Sequence, residues 1–137
     1  MGVDASYLLS KTIEVDQTIG EIRRLTSGPF KDLGVDEKYS IRYQIVVLAE
    51  AIGSICLHIC MEDLNYESRS YGDCFMKLKS AGIISCAEDL AKIVGLRNLL
   101  VHRYCTIDDS EVYGAVKDDL DCVEALLRAV RDRYGLR

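Results

Sequence analysis

A chain of 137 residues with 17 Lys and Arg against 22 Asp and Glu, a net charge of −5, is long enough to bury one core without a metal or disulfide staple. The acidic balance excludes a wide electropositive face, so any nucleic-acid site has to be a local positive patch on an acidic body. One proline, two phenylalanines and no tryptophan among many Leu, Ile, Ala, Glu and Lys favour helices, and Glu50 interrupts the longest apolar run short of the roughly 18 residues of a membrane span.

Residues 7–25 place Leu8, Val15, Ile19 and Ile22 on one stripe with Glu14, Asp16, Glu21 and Arg23 elsewhere, which is an amphipathic helix. Ser27, Gly28 and Pro29 stop it, and an aperiodic loop leads to Gly34. Asp36 is expected to cap a second helix over about 37–64, whose core stripe is Ile45, Leu48, Ile52, Ile55 and Ile59. Val47, Ala51 and Ser54 form a second, small-residue face, so this helix is either central or shared with a partner. Of its polar exceptions, Glu50 reads as a solvated carboxylate, with a pairing to Arg97 as the alternative, and His58 reads as a helix-face histidine. Asp73 is expected to cap a short third helix ending at Gly82. Ser85, with Glu88 three residues later, reads as a capping box for the fourth. That helix turns Leu90, Ile93, Val94, Leu96 and Leu100 inward, and its Gly95 would allow a close neighbour. The last helix spans about 109–134, acidic early and basic late in keeping with its dipole, with Val112, Val116, Leu120, Val123, Leu127 and Val130 as its stripe.

The six cysteines, at 56, 60, 74, 86, 105 and 122, contain no C-x2-C pair and follow no signal peptide. They read as reduced thiols of a cytoplasmic protein and as small core residues. Cys56 and Cys60 share a helix face, but His58 points about 200° away from Cys56, so no metal site is expected and no cofactor is called for.

Chemistry concentrates in residues 97–104, Arg-Asn-Leu-Leu-Val-His-Arg-Tyr. The imidazole of His102 can exchange a proton near neutral pH, the planar fork of Arg97 can clamp a phosphate, and the phenol of Tyr104 can bind or receive a phosphoryl group. Together they suit work at a phosphodiester. On spacing alone an arginine and a histidine near a helix end are as readily a surface residue and a capping residue. A helix carried through Tyr104 sets it about 20° from Arg97 and His102 about 140° away, close to Asn98. One face cannot then offer the whole motif to one phosphate, whereas a two-fold homodimer could share a cleft between two copies.

The pattern R-x4-H-x-Y resembles the signature of HEPN-domain toxins of the HepT type, and other words match as well: Ser70-Tyr71-Gly72-Asp73-Cys74-Phe75, Ala81-Gly82-Ile83-Ile84, Val94-Gly95-Leu96 leading into the motif, and Asp108-Asp109 with Val112-Tyr113. The resemblance implies an all-α, up-and-down bundle of four long helices plus one short helix, a single HEPN-like domain over residues 1–137. It implies a metal-independent endoribonuclease toxin of a type II toxin–antitoxin system, with RNA as substrate. Arg97 and His102 would be catalytic, Asn98 would orient the phosphate or His102, and a minimal nucleotidyltransferase antitoxin would silence the toxin by AMP transfer to Tyr104. The alternative within the family is a non-catalytic module that binds nucleotides or serves a nucleotidyltransferase as its substrate-binding subunit. A helical interaction protein with a purely structural motif is the alternative outside it.

Overall fold

The computed structural model describes residues 2–103 and 106–136. Its helices are α1 (Ala5–Leu25), α2 (Val35–Glu62), α3 (Tyr71–Ser80), α4 (Ala87–His102) and α5 (Asp109–Tyr134), with a 3-10 turn at Phe30–Asp32 and no strand among the described residues. This is the expected all-α bundle of four long helices and one short one, and α2 is its axis, packing against each of the other four.

The apolar stripes are the reason for that order. Ile45, Leu48, Ile52, Ile55 and Ile59 of α2 are wholly buried, as are Leu8 and Ile22 of α1, Phe75 and Leu78 of α3, and Leu90 of α4. Val112, Val116, Leu120, Val123, Leu127 and Val130 of α5 close the core from the far side. Within α4, Leu90, Ile93 and Leu100 are buried while Val94 and Leu96 are half-buried, so its inward face is narrower than the sequence suggests. Helix α2 is long and apolar enough to cross a membrane by length and composition, even with Glu50 in it, but 56% of its most apolar window lies buried inside the bundle. Its stripe is covered by protein.

The helix starts depart from the expected caps. Gly34, and not Asp36, is the N-cap of α2, and its N–H donates to Glu37 Oε1 at 2.9 Å. Ser70 caps α3 by accepting from the Asp73 N–H at 3.1 Å. Asp73 instead turns back, accepting from the Arg69 N–H and the Tyr66 hydroxyl, both at 2.9 Å. Cys86 stands at the N-cap of α4 without a side-chain capping bond, and Glu88 pairs with Lys79 at 2.8 Å rather than closing a capping box with Ser85. Each displaced carboxylate still lies in a first turn, where it faces the positive end of a helix dipole. Gly82, at φ +79°, ends α3 as expected.

Two bidentate ion pairs tie α5 back to the bundle. Arg23 grips Glu124 at 2.7 and 2.8 Å, and Arg42 grips Asp109 at 2.7 and 3.0 Å.

Within the chain a close approach at a glycine is found at Gly53, while Gly95 has no near neighbour in its own chain. A Cβ on Gly53 would stand 2.4 Å from the Tyr71 ring, whereas one on Gly95 would meet nothing within 4 Å. Gly53→Ala is therefore expected to destabilise by about 1–3 kcal/mol, as overpacking does. Gly95→Ala should stabilise by roughly 0.5–1 kcal/mol, because alanine favours an open helical position. Calorimetric melting of the two variants checks both signs, and an unchanged midpoint for Gly53→Ala would show that the ring moves aside freely.

Candidate functional site

Arg97 leaves α4 toward α2 and α3, and its side chain is only 20% exposed. Its Nη1 donates to Glu50 Oε2 on α2 at 2.8 Å. The hydroxyl of Tyr71, on α3, donates to the other carboxylate oxygen, Oε1, at 3.0 Å. The guanidinium carbon lies 5.8 Å from the centroid of the Tyr71 ring, within reach of a cation–π contact. Three helices thus converge on one guanidinium. Glu50, expected to be solvated, is engaged on both oxygens while its side chain stays 47% exposed. Burial and then the bond to Glu50 raise the Tyr71 phenol above its ordinary pKa, so it stays protonated and donates. The Arg97 Nε is buried and has no partner among the described residues.

An open cleft of about 460 Å³ lies between α3 and α4, lined by Ser70, Tyr71 and Gly72 from one side and Ala91, Val94, Gly95, Arg97 and Asn98 from the other. Asn98 and His102 are exposed, and no described residue bonds either side chain. On an α-helix His102 lies about 7.5 Å further along the axis than Arg97 and about 140° around it, while Asn98 and His102 share a face at about 40°. The structure thus brings Asn98 to the cleft with Arg97 and leaves His102 on a diverging face of the same chain. Leu99 and Val101, between them, are 47% and 46% exposed. The regular helix ends at His102, with Arg103 at φ −135° as its cap, so the projection that set Tyr104 beside Arg97 loses its premise. Tyr104 and Cys105 lie outside the described residues.

The other groups singled out by chemistry have structural partners. His58 Nε2 accepts from the Asp4 N–H at 2.9 Å, and its ring sits 4.8 Å from that of Tyr7, which pins the start of α1. Cys56, Cys60 and Cys74 are buried in the core. Desolvation pushes the thiol of Cys74 to about 11 and that of half-buried Cys122 to about 12, which leaves both inert as nucleophiles near neutral pH. Among the described residues no three His, Cys, Asp or Glu side chains come together as a metal site.

What the sequence reading missed is the pair Tyr71 and Gly53. Tyr71 lay inside a recognised word without a role, and a glycine within an otherwise apolar helix was the available signal for a close approach.

The fold is that of HEPN toxins. Residues 15–130 match the family described as HepT-like ribonucleases, and the chain belongs to that family. Among similar solved structures, a toxin–antitoxin complex with AMP-PNP is 22% identical over 93% of this chain and 98% of its own, with a TM-score of 0.83. The tri-AMPylated HEPN toxin of Shewanella oneidensis, in complex with its MNT antitoxin, is 22% identical over 92% of this chain and 97% of its own, with a TM-score of 0.81. YutE of Bacillus subtilis, described as a cytosolic protein of unknown function, is 16% identical over 96% of this chain and 90% of its own, with a TM-score of 0.83. At these identities the likeness speaks to fold. No curated protein matches the chain.

If the Tyr71–Glu50–Arg97 contacts act as a unit, Tyr71→Phe and Glu50→Ala should not add. Urea denaturation of the single and double variants is expected to give a coupling of at least about 0.5 kcal/mol. Additivity within about 0.3 kcal/mol would mean Tyr71 and Glu50 are held independently.

Proposed function

We propose that this chain is a single-domain, cytoplasmic endoribonuclease toxin, metal-independent, and that an MNT-type nucleotidyltransferase antitoxin silences it by AMP transfer to Tyr104. The observation that carries the reading is Arg97 braced by Glu50 in the lining of an open cleft, in a chain of the HepT-like ribonuclease family. A guanidinium fixed in this way offers its remaining Nη N–H groups to a phosphate without first being ordered. His102, solvent-reachable and unencumbered, takes the proton from a ribose 2′-hydroxyl as that oxygen attacks the adjacent phosphorus, and returns a proton to the departing 5′-oxygen. Arg97 stabilises the charge that builds on the phosphoryl oxygens, and Asn98 orients either the phosphate or His102. The products are a 2′,3′-cyclic phosphate and a 5′-hydroxyl end. Every step uses side chains of this protein, so the reaction calls for no metal.

Because Arg97 and His102 diverge around α4, the productive site combines Arg97 and Asn98 of one copy with His102 of another. The exposed Leu99 and Val101 supply the apolar surface that such a two-fold contact would bury. The antitoxin reading draws on the relatives, two of which are toxins in complex with their antitoxins, one carrying AMP. The Tyr104 oxygen attacks the α-phosphorus of ATP and pyrophosphate leaves. The attached AMP places a bulky anion two residues beyond His102, where it repels an RNA phosphate.

Purified protein incubated with RNA should cut it in excess chelator. His102→Ala, a change at an exposed side chain, should lower the rate at least about 100-fold while leaving the melting temperature unchanged. Arg97→Lys, which keeps the charge and loses the fork, should lower it at least about tenfold. Undiminished cleavage by His102→Ala would remove the assignment, and nucleotide binding without cleavage by the wild type would favour the non-catalytic subunit. With a cognate nucleotidyltransferase and ATP, wild type should gain AMP and fall silent while Tyr104→Phe stays unmodified. Mass spectrometry reads that difference directly.

A further inference from the structure

The cleft beside Arg97 has a composition that a phosphate alone does not call for. Its lining is mainly apolar, with Ala91, Val94 and Tyr71 among its residues, and Ser70, Arg97 and Asn98 supply its polar side chains. A phosphate prefers donors on all sides. A nucleotide is instead a flat apolar plate with polar edges joined to an anion, and it matches a mainly apolar cleft with a guanidinium in its lining. We propose that this cleft is a nucleobase subsite, taking one base of an RNA strand whose adjoining phosphate rests on Arg97. The proposal rests on the ribonuclease reading above and deepens it.

Three observations carry it. The volume, about 460 Å³, lies within the range of small-ligand sites. Asn98 is exposed, and no described residue bonds its carboxamide, so both a donor and an acceptor are free for a base edge. Gly95 lies in the interior of α4, where glycine disfavours the helix, and a Cβ there would meet nothing within 4 Å. Because Gly95 lines the cleft, a side chain placed there would occupy part of it. The brace on Arg97 adds register. Because Glu50 holds the guanidinium from the α2 side, the separation between the bound phosphate and the cleft is set before RNA arrives.

Filling the cleft tests this without touching Arg97, Asn98 or His102. Gly95→Leu and Ala91→Leu both put a good helix former at an exposed helical position, so the fold should hold, and melting curves verify that it does. Each variant should raise the KM for RNA at least about tenfold, the loss expected when one base is no longer seated. The positions of cutting in a mixed-sequence RNA should also become less selective. Independently of cleavage, titrating the wild type with adenosine, guanosine, cytidine and uridine 3′-monophosphates should shift the amide resonances of Ala91, Val94, Gly95 and Asn98, and Gly95→Leu should suppress those shifts. Nucleotide shifts in a wild type that cuts no RNA would uphold the subsite and remove the ribonuclease reading. An unchanged KM and unchanged cut positions in both filled variants would overturn the subsite. So would wild-type amides unmoved by any nucleotide together with a changed sedimentation coefficient in Gly95→Leu, which would assign the cleft to a second copy of the chain.

Discussion

The bond from Arg97 to Glu50 is the constraint on which the site depends. An arginine side chain on a helix carries up to about 2 kcal/mol of rotamer entropy, which binding a substrate would otherwise have to overcome. A carboxylate on the neighbouring helix removes that freedom in advance, provided the carboxylate is itself held. Tyr71 holds it by donating to the second oxygen, and Tyr71 lies where it does because Gly53 has no side chain to displace its ring. The chain of cause therefore runs from a hydrogen atom on α2, through a phenol on α3, back to a carboxylate on α2, and out to a guanidinium on α4. None of these links is strong alone, since Glu50 remains nearly half exposed and water screens it. Together the three contacts define one position for the Arg97 guanidinium.

The fold was legible wherever a side chain's role follows from periodicity. Buried Leu, Ile and Val recur at helical spacing on α1, α2 and α5, and a bundle centred on the most apolar helix is the only way to cover them all. The caps were less legible. Asp36, Asp73 and Ser85 are all good capping residues by type, yet Gly34, Ser70 and Cys86 hold the positions. Which residue becomes the N-cap depends on the direction from which the loop enters, and that is decided by packing of the helix, so a run of several candidate residues leaves the choice open. In two of these cases the displaced carboxylate found a different partner, the Tyr66 hydroxyl for Asp73 and the Lys79 ammonium for Glu88 of the expected capping box.

Residue type made Arg97, Asn98 and His102 visible in the sequence, because few side chains do phosphate and proton chemistry near neutral pH. Tyr71 and Gly53 escaped notice for the opposite reason. Their contact joins positions on two different helices and involves no unusual residue, so only the fold brings them together. Glu50 stands between these cases. Its pairing with Arg97 was available as an alternative, but an isolated carboxylate on a helix is usually solvated, and nothing local distinguished it.

The acidic body and the diverging motif bear on each other. With a net charge of −5, the chain carries no broad positive field, so under the proposed ribonuclease reading affinity for RNA would come from a few well-placed groups acting at short range. A single α4 helix offers Arg97 on one side and His102 on another, which is a poor clamp for one phosphodiester. The proposed pairing of two copies across a two-fold axis would bring Arg97 of one and His102 of the other to one phosphodiester without altering the acidic remainder of either surface. A nuclease built in the proposed way would be inactive whenever its halves are apart or one motif carries an extra anion. In an acidic protein one added phosphate is a large fraction of the positive charge available at the site, which explains physically why a single nucleotide on the motif tyrosine would suffice as an off-switch.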